Sequence, residues 1–151
     1  MKTIIIKGSE VRYPVGLNFE QSLPIINLVI EQLKLLREND KQRFVFCCSG
    51  SSGAIIAAVA SLQISNSVIY HVRKEGEIAH RYNEFYSRPN DYYVIIDDFS
   101  VSGDTLARIN NSLKDNKINM VHCVALCGGM SESAKVKEKI NPDVLIYAPQ
   151  H

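Results

Sequence analysis

A chain of 151 residues fits one compact domain, expected to span residues 1–151. Its formal net charge of +1, 22% charged residues and 46% hydrophobic residues are ordinary, so nothing pulls the whole molecule toward nucleic acid or an anionic membrane. Any polyanion site must therefore be local, and no apolar run reaches the roughly 18 residues of a membrane-spanning helix.

The start, Met1-Lys2-Thr3-Ile4-Ile5-Ile6-Lys7, lacks the length and small-residue cleavage site of a signal peptide. It reads as a short buried strand over residues 2–7. Residues 8–16 are turn-rich. From 19 to 37, Leu23, Ile25, Ile26, Val29, Ile30, Leu33, Leu35 and Leu36 fall at helical spacing, with Pro24 expected in the first turn. Residues 43–48 form an apolar strand, 49–53 a Ser/Gly loop, and 54–62 a helix of small apolar residues. A strand at 67–72 precedes a long charged stretch, 73–90. The strand at 92–96 runs into Asp97-Asp98, and helix 105–113 follows. A strand at 119–127 ends in Gly128-Gly129, a helix covers 131–140, and 144–147 is the last strand. The order implies an α/β fold: a parallel sheet flanked by helices on both faces. In such sheets ligands bind beyond the carboxyl ends of the strands, so the Ser/Gly loop, the acid pair and the Gly128-Gly129 turn should converge on one rim.

Cys47, Cys48, Cys123 and Cys127 all sit in apolar runs. His122, Cys123 and Cys127 do not have the spacing of a zinc knuckle, so reduced core cysteines of a cytoplasmic protein are expected.

The chemistry concentrates in Tyr93-Val94-Ile95-Ile96-Asp97-Asp98-Phe99-Ser100-Val101-Ser102-Gly103-Asp104-Thr105-Leu106. Two adjacent carboxylates at the end of a buried strand repel each other and resist desolvation; a hydroxyl-bearing ligand or a cation offsets that cost. Ser-Gly-Asp-Thr then leads into a helix, whose free N–H groups and dipole suit a phosphate. Capping by Asp98 and Ser102 accounts for one such residue, but not for two acids, two hydroxyls and a glycine in this order.

This segment resembles the phosphoribosyl-pyrophosphate signature of the type I phosphoribosyltransferases: an apolar strand, two acids, three variable residues, then Thr/Ser-Gly-x-Thr. The order of elements over roughly residues 40–130 resembles that family's core. The resemblance implies a pentosyl-transferring enzyme that moves ribose 5-phosphate from phosphoribosyl pyrophosphate to a purine or pyrimidine base, with Mg2+ as cofactor, as a cytoplasmic homodimer without nucleic-acid or membrane partners. Asp97 and Asp98 would hold the ribose hydroxyls and the metal, and Val101, Ser102, Gly103, Asp104 and Thr105 the 5′-phosphate. Asp104 departs from the small residue common there. Ser49, Gly50, Ser51 and Ser52 resemble the pyrophosphate loop. The 73–81 stretch is most like the mobile loop of the orotate-type enzymes, with Arg73, Lys74 and His80 meeting pyrophosphate and Lys74 catalytic. Gly128-Gly129 would border the base. A small hood that recognises the base falls in residues 1–20 or 141–151, with Tyr13 and Tyr147 as candidate stacking partners. A non-catalytic regulator of the same fold, binding phosphoribosyl pyrophosphate or a nucleotide, is the alternative.

Overall fold

The computed structural model describes residues 1–6, 19–73, 86–100, 102–128 and 133–148. Strands β1 (Lys2–Ile5), β2 (Phe44–Ser49), β3 (Ser67–Val72), β4 (Tyr92–Asp97), β5 (Cys123–Leu126) and β6 (Val144–Tyr147) and helices α1 (Phe19–Lys34), α2 (Gly50–Gln63), α3 (Asp104–Asp115) and α4 (Ser133–Lys139) follow one another as β1-α1-β2-α2-β3-β4-α3-β5-α4-β6 among the described residues. The six strands form one sheet in the order β1-β6-β5-β4-β2-β3, and every neighbouring pair is parallel.

Every residue of β2, β4 and β5 is buried, as continuous apolar runs require when helices cover both faces. Side chains alternate between two cores. Phe44, Phe46, Val94 and Ile96 share one with the α1 and α2 residues Ile26, Val29, Ile30 and Ala57. Val45, Tyr93, Ile95 and Leu126 share the other with Leu106, Ile109 and Leu113 of α3 and Val136 of α4.

Four expectations need correction. The first strand is an edge strand, mostly exposed, rather than a buried one. An apolar hexamer looks the same in sequence whether one side or both are covered. Pro24 lies well inside α1 rather than in its first turn. It forgoes one intrahelical bond, which the buried stripe Ile25, Ile26, Val29, Ile30 and Leu33 outweighs at roughly 1.5–3 kcal/mol per side chain. The strand expected at 119–127 is confined to Cys123–Leu126. Finally, Gly50 to Gly53 are the first turn of α2 and not a separate loop. Glycines hide a helix in a propensity reading, but a first turn makes few intrahelical bonds and tolerates them.

Candidate functional site: a polar cleft at the carboxyl ends of β2 and β4

β2 and β4 are adjacent and in register, Phe46 opposite Val94 and Cys47 opposite Ile95, so the chain leaves both strands at the same rim. There, residues of the β2–α2 and β4–α3 turns line one cleft of about 280 Å³. Ser49, Gly50, Ser51, Ser52, Asp97, Asp98, Ser102, Gly103, Asp104 and Thr105 all border it, with Gly53, Phe99, Ser100 and Leu106. The expected convergence of the two turns is therefore observed. Arg73 directly follows Val72, which pairs in register with Ser49, so it stands on the same rim but outside the lining. Lys74, His80, Val101, Gly129 and Tyr13 lie outside the described residues. Tyr147 is half-buried in β6 and is not part of the lining.

Asp97 closes β4 and Asp98 follows it; both are buried, at 6% and 9% exposure. Asp97 Oδ1 accepts the Asp98 N–H at 2.8 Å, and Asp98 Oδ1 accepts the Phe99 N–H at 2.8 Å. Their carbonyls are held from the next strand's exit: Cys127 N donates to Asp97 O at 3.0 Å, and Gly128 N donates to Asp98 O. This is where Gly128 acts in the site. Gly53 of α2 packs against the end of β4: a Cβ there would stand 3.4 Å from Asp97 Oδ1, Cys48 Cβ and Ile96 O, at ordinary contact distance.

The second half of the motif turns at Gly103, the N-cap of α3, whose φ of 83° is left-handed backbone that strains any residue with a Cβ. It supplies no side-chain cap, and Ser102 Oγ accepts the Asp104 N–H only at 3.3 Å. A glycine N-cap costs only a few tenths of a kcal/mol against a capping side chain. The buried stripe of Leu106, Ile109 and Leu113 contributes more than that, so α3 can keep its first-turn donors for a ligand. Asp104 is exposed at the first helical position, where its charge favours the dipole.

Magnesium characteristically takes one or two protein carboxylates and completes its shell with substrate phosphates and water. Asp97 and Asp98 are such a pair. Among the described residues no group of three acidic, histidine or cysteine side chains could hold a metal ion by itself; were magnesium to bind with its substrate, Asp97 and Asp98 are the carboxylates that would hold it. All four cysteines are free and buried, and burial together with the nearby Asp97 pushes the Cys48 thiol up to about 12.

Arg108 escaped the sequence reading. One helical turn beyond Asp104, it donates from Nη1 to Ser49 Oγ at 3.2 Å, linking the two turns across 59 residues. Its only signal in sequence is a cation one turn into the helix that follows the motif.

No protein-family model matches the sequence, and no curated protein matches it. Solved structures do. The adenine phosphoribosyltransferase of Thermoanaerobacter pseudethanolicus aligns with a TM-score of 0.61 at 15% identity, over 92% of this chain and 94% of that one. The xanthine-guanine-hypoxanthine phosphoribosyltransferase of Helicobacter pylori aligns at 0.55 and 12%, over 97% and 86%. The orotate phosphoribosyltransferase of Aeropyrum pernix aligns at 0.54 and 14%, over 85% and 73%. The protein has the fold of the type I phosphoribosyltransferases, a parallel sheet with helices on both faces. Among the described residues no helix is long and apolar enough to cross a membrane.

Proposed function

We propose that this protein is a phosphoribosyltransferase that transfers ribose 5-phosphate from phosphoribosyl pyrophosphate to a nitrogenous base. The observation that carries this reading is the single cleft in which a buried Asp97-Asp98 pair faces two turns rich in hydroxyls and N–H groups. The base nitrogen attacks C1 of the ribose, the bond from C1 to the pyrophosphate oxygen breaks, and the nitrogen's proton passes to water. Asp97 and Asp98 bind the ribose hydroxyls and lie beside the ring as positive charge develops on it. The start of α3 holds the 5′-phosphate and the start of α2 the pyrophosphate. Catalysis of this kind is positioning and charge stabilisation. Bound magnesium supplies neutralisation of the pyrophosphate charge. Arg73, Lys74 and His80 belong to the same proposal as groups that meet pyrophosphate from the 73–90 stretch, as do a cytoplasmic location and assembly as a homodimer.

One feature favours the second reading, a protein that binds phosphoribosyl pyrophosphate without turning it over. The described lining holds three carboxylates, Asp97, Asp98 and Asp104, and no lysine or arginine. Both readings are tested by thermal stabilisation with magnesium and phosphoribosyl pyrophosphate, followed by pyrophosphate release across a panel of purine and pyrimidine bases. Release with one base establishes the transferase. Stabilisation without release across the whole panel establishes the binding protein, and no stabilisation refutes both.

A further inference from the structure

Ser49 is the N-cap residue of α2. Its φ of −148° and ψ of 140° are the extended geometry from which a serine ordinarily accepts a first-turn N–H. It makes no such bond. Its Oγ, on a residue only 5% exposed, instead accepts Arg108 Nη1 at 3.2 Å.

That exchange has two physical consequences. A hydroxyl carries one proton, and a lone pair turned toward the guanidinium aims that proton elsewhere. Ser49 lines the cleft, and no acceptor for its O–H exists among the described residues. Meanwhile the first-turn N–H groups of α2, at the cleft residues Gly50, Ser51 and Ser52, are not consumed by their own cap. Arg108 thus makes the start of α2 a set of donors without a partner from Ser49, and places a positive charge directly behind the serine.

The partner Arg108 lacks is as informative as the one it has. Asp104 precedes it by four residues on α3, the favourable order for an ion pair along a helix. Among the described residues no ion pair joins them, and Arg108 has no other carboxylate partner. A half-buried guanidinium in that state requires an anion or water to balance it.

We propose that Arg108 is a positioning residue for the pyrophosphate group. It turns the Ser49 hydroxyl away from the helix it would cap and into the cleft, where that O–H and the α2 N–H groups grip the leaving pyrophosphate. The inference rests on the reading of the cleft as a phosphoribosyl pyrophosphate site.

Calorimetric titration of the wild type, Arg108→Ala, Arg108→Lys, Ser49→Ala and the double alanine variant tests it. Inorganic pyrophosphate and ribose 5-phosphate are the two probes, each in magnesium buffer. Arg108→Ala is expected to weaken pyrophosphate by about tenfold to a hundredfold, the range of a charge-assisted hydrogen bond. Ribose 5-phosphate should stay within about twofold, and Arg108→Lys should recover part of the pyrophosphate loss. Because Arg108 acts through Ser49, the double variant should bind pyrophosphate no worse than Arg108→Ala alone. Pyrophosphate binding unchanged in Arg108→Ala, equal weakening of both probes, or additive losses in the double variant overturns the proposal. A wild type that binds ribose 5-phosphate but not pyrophosphate overturns it alone. A wild type that binds neither removes the functional reading as well. Circular dichroism reports folding; if Arg108→Ala does not fold, the two-probe comparison of Arg108→Lys and Ser49→Ala decides in the same way.

Discussion

At the amino end of the sheet, Arg43 and Asp91 form a closed, two-pronged ion pair. At the carboxyl end, Asp97 and Asp98 face a cleft with no arginine or lysine in its described lining. Arg43 Nε and Nη2 donate to the two Asp91 oxygens at 3.0 and 2.7 Å, Nη2 also donates to the Tyr86 carbonyl at 2.9 Å, and the Arg88 N–H reaches Asp91 Oδ2 at 2.8 Å. The side chains are 9% and 1% exposed, and the Asp91 hydrogen bonds hold the guanidinium above its ordinary pKa despite burial. Similar side chains thus serve two ends. Where acid meets base, the charge is spent on the fold, here on fastening residues 86–91 ahead of β4 to the start of β2. Where acid follows acid, the two carboxylates border the cleft, as the proposed function requires.

The comparison can be broken from either side. Asp91→Ala leaves Arg43 buried without its carboxylate and should cost about 3–5 kcal/mol in urea unfolding, while ligand affinity in the folded fraction stays at the wild-type value. Asp97→Asn with Asp98→Asn should do the reverse. Unfolding should shift little, and phosphoribosyl pyrophosphate affinity should fall about a hundredfold or more, as two hydrogen bonds to charged acceptors are lost. If that double variant binds like the wild type, the acid pair is merely structural and the contrast between the ends collapses. Gly103→Ala sits between the two extremes. Forcing a Cβ onto φ 83° should cost about 1–2 kcal/mol in unfolding, and it should weaken ribose 5-phosphate binding because the turn also shapes the cradle.

The smallest expected effect is on pH. His122 Nδ1 accepts the Tyr93 N–H at 3.0 Å, and its ring stacks on Tyr92, so the neutral form completes the backbone pairing beside β4. Burial lowers its pKa. The folded state then takes up the proton less readily than the unfolded chain. This contribution is whole above the ordinary histidine value of about 6.5 and is lost as pH falls from there through the lowered folded value. The denaturation midpoint should drop between about pH 7.5 and pH 5, and His122→Asn should flatten that drop.

How much was legible in the chain itself follows from distance along it. The acid pair, the hydroxyls and Gly103 stand within nine residues of one another, so their order alone announced a strand, a turn and a helix start meeting at one place. The parallel layered sheet was equally plain, because buried strands and amphipathic helices alternate at their own periods. The Ser49 turn was less plain, since glycines disguised the start of α2 as a loop. Arg43–Asp91 and Arg108–Ser49, 48 and 59 residues apart, were invisible. Their partners meet only because β2 lies between β3 and β4 and α3 packs back toward it.

The sequence by itself therefore determined the composition of each half-site, because local backbone geometry places neighbouring residues wherever the chain folds. Tertiary structure alone decided which charged side chains meet partners on distant elements and which border the cleft. Pairing is a contact between separate elements, and the sheet order sets which elements meet. It closed Arg43 on Asp91, brought Arg108 to Ser49 and not to Asp104, and carried the Asp97-Asp98 pair to the rim beside the β2–α2 turn.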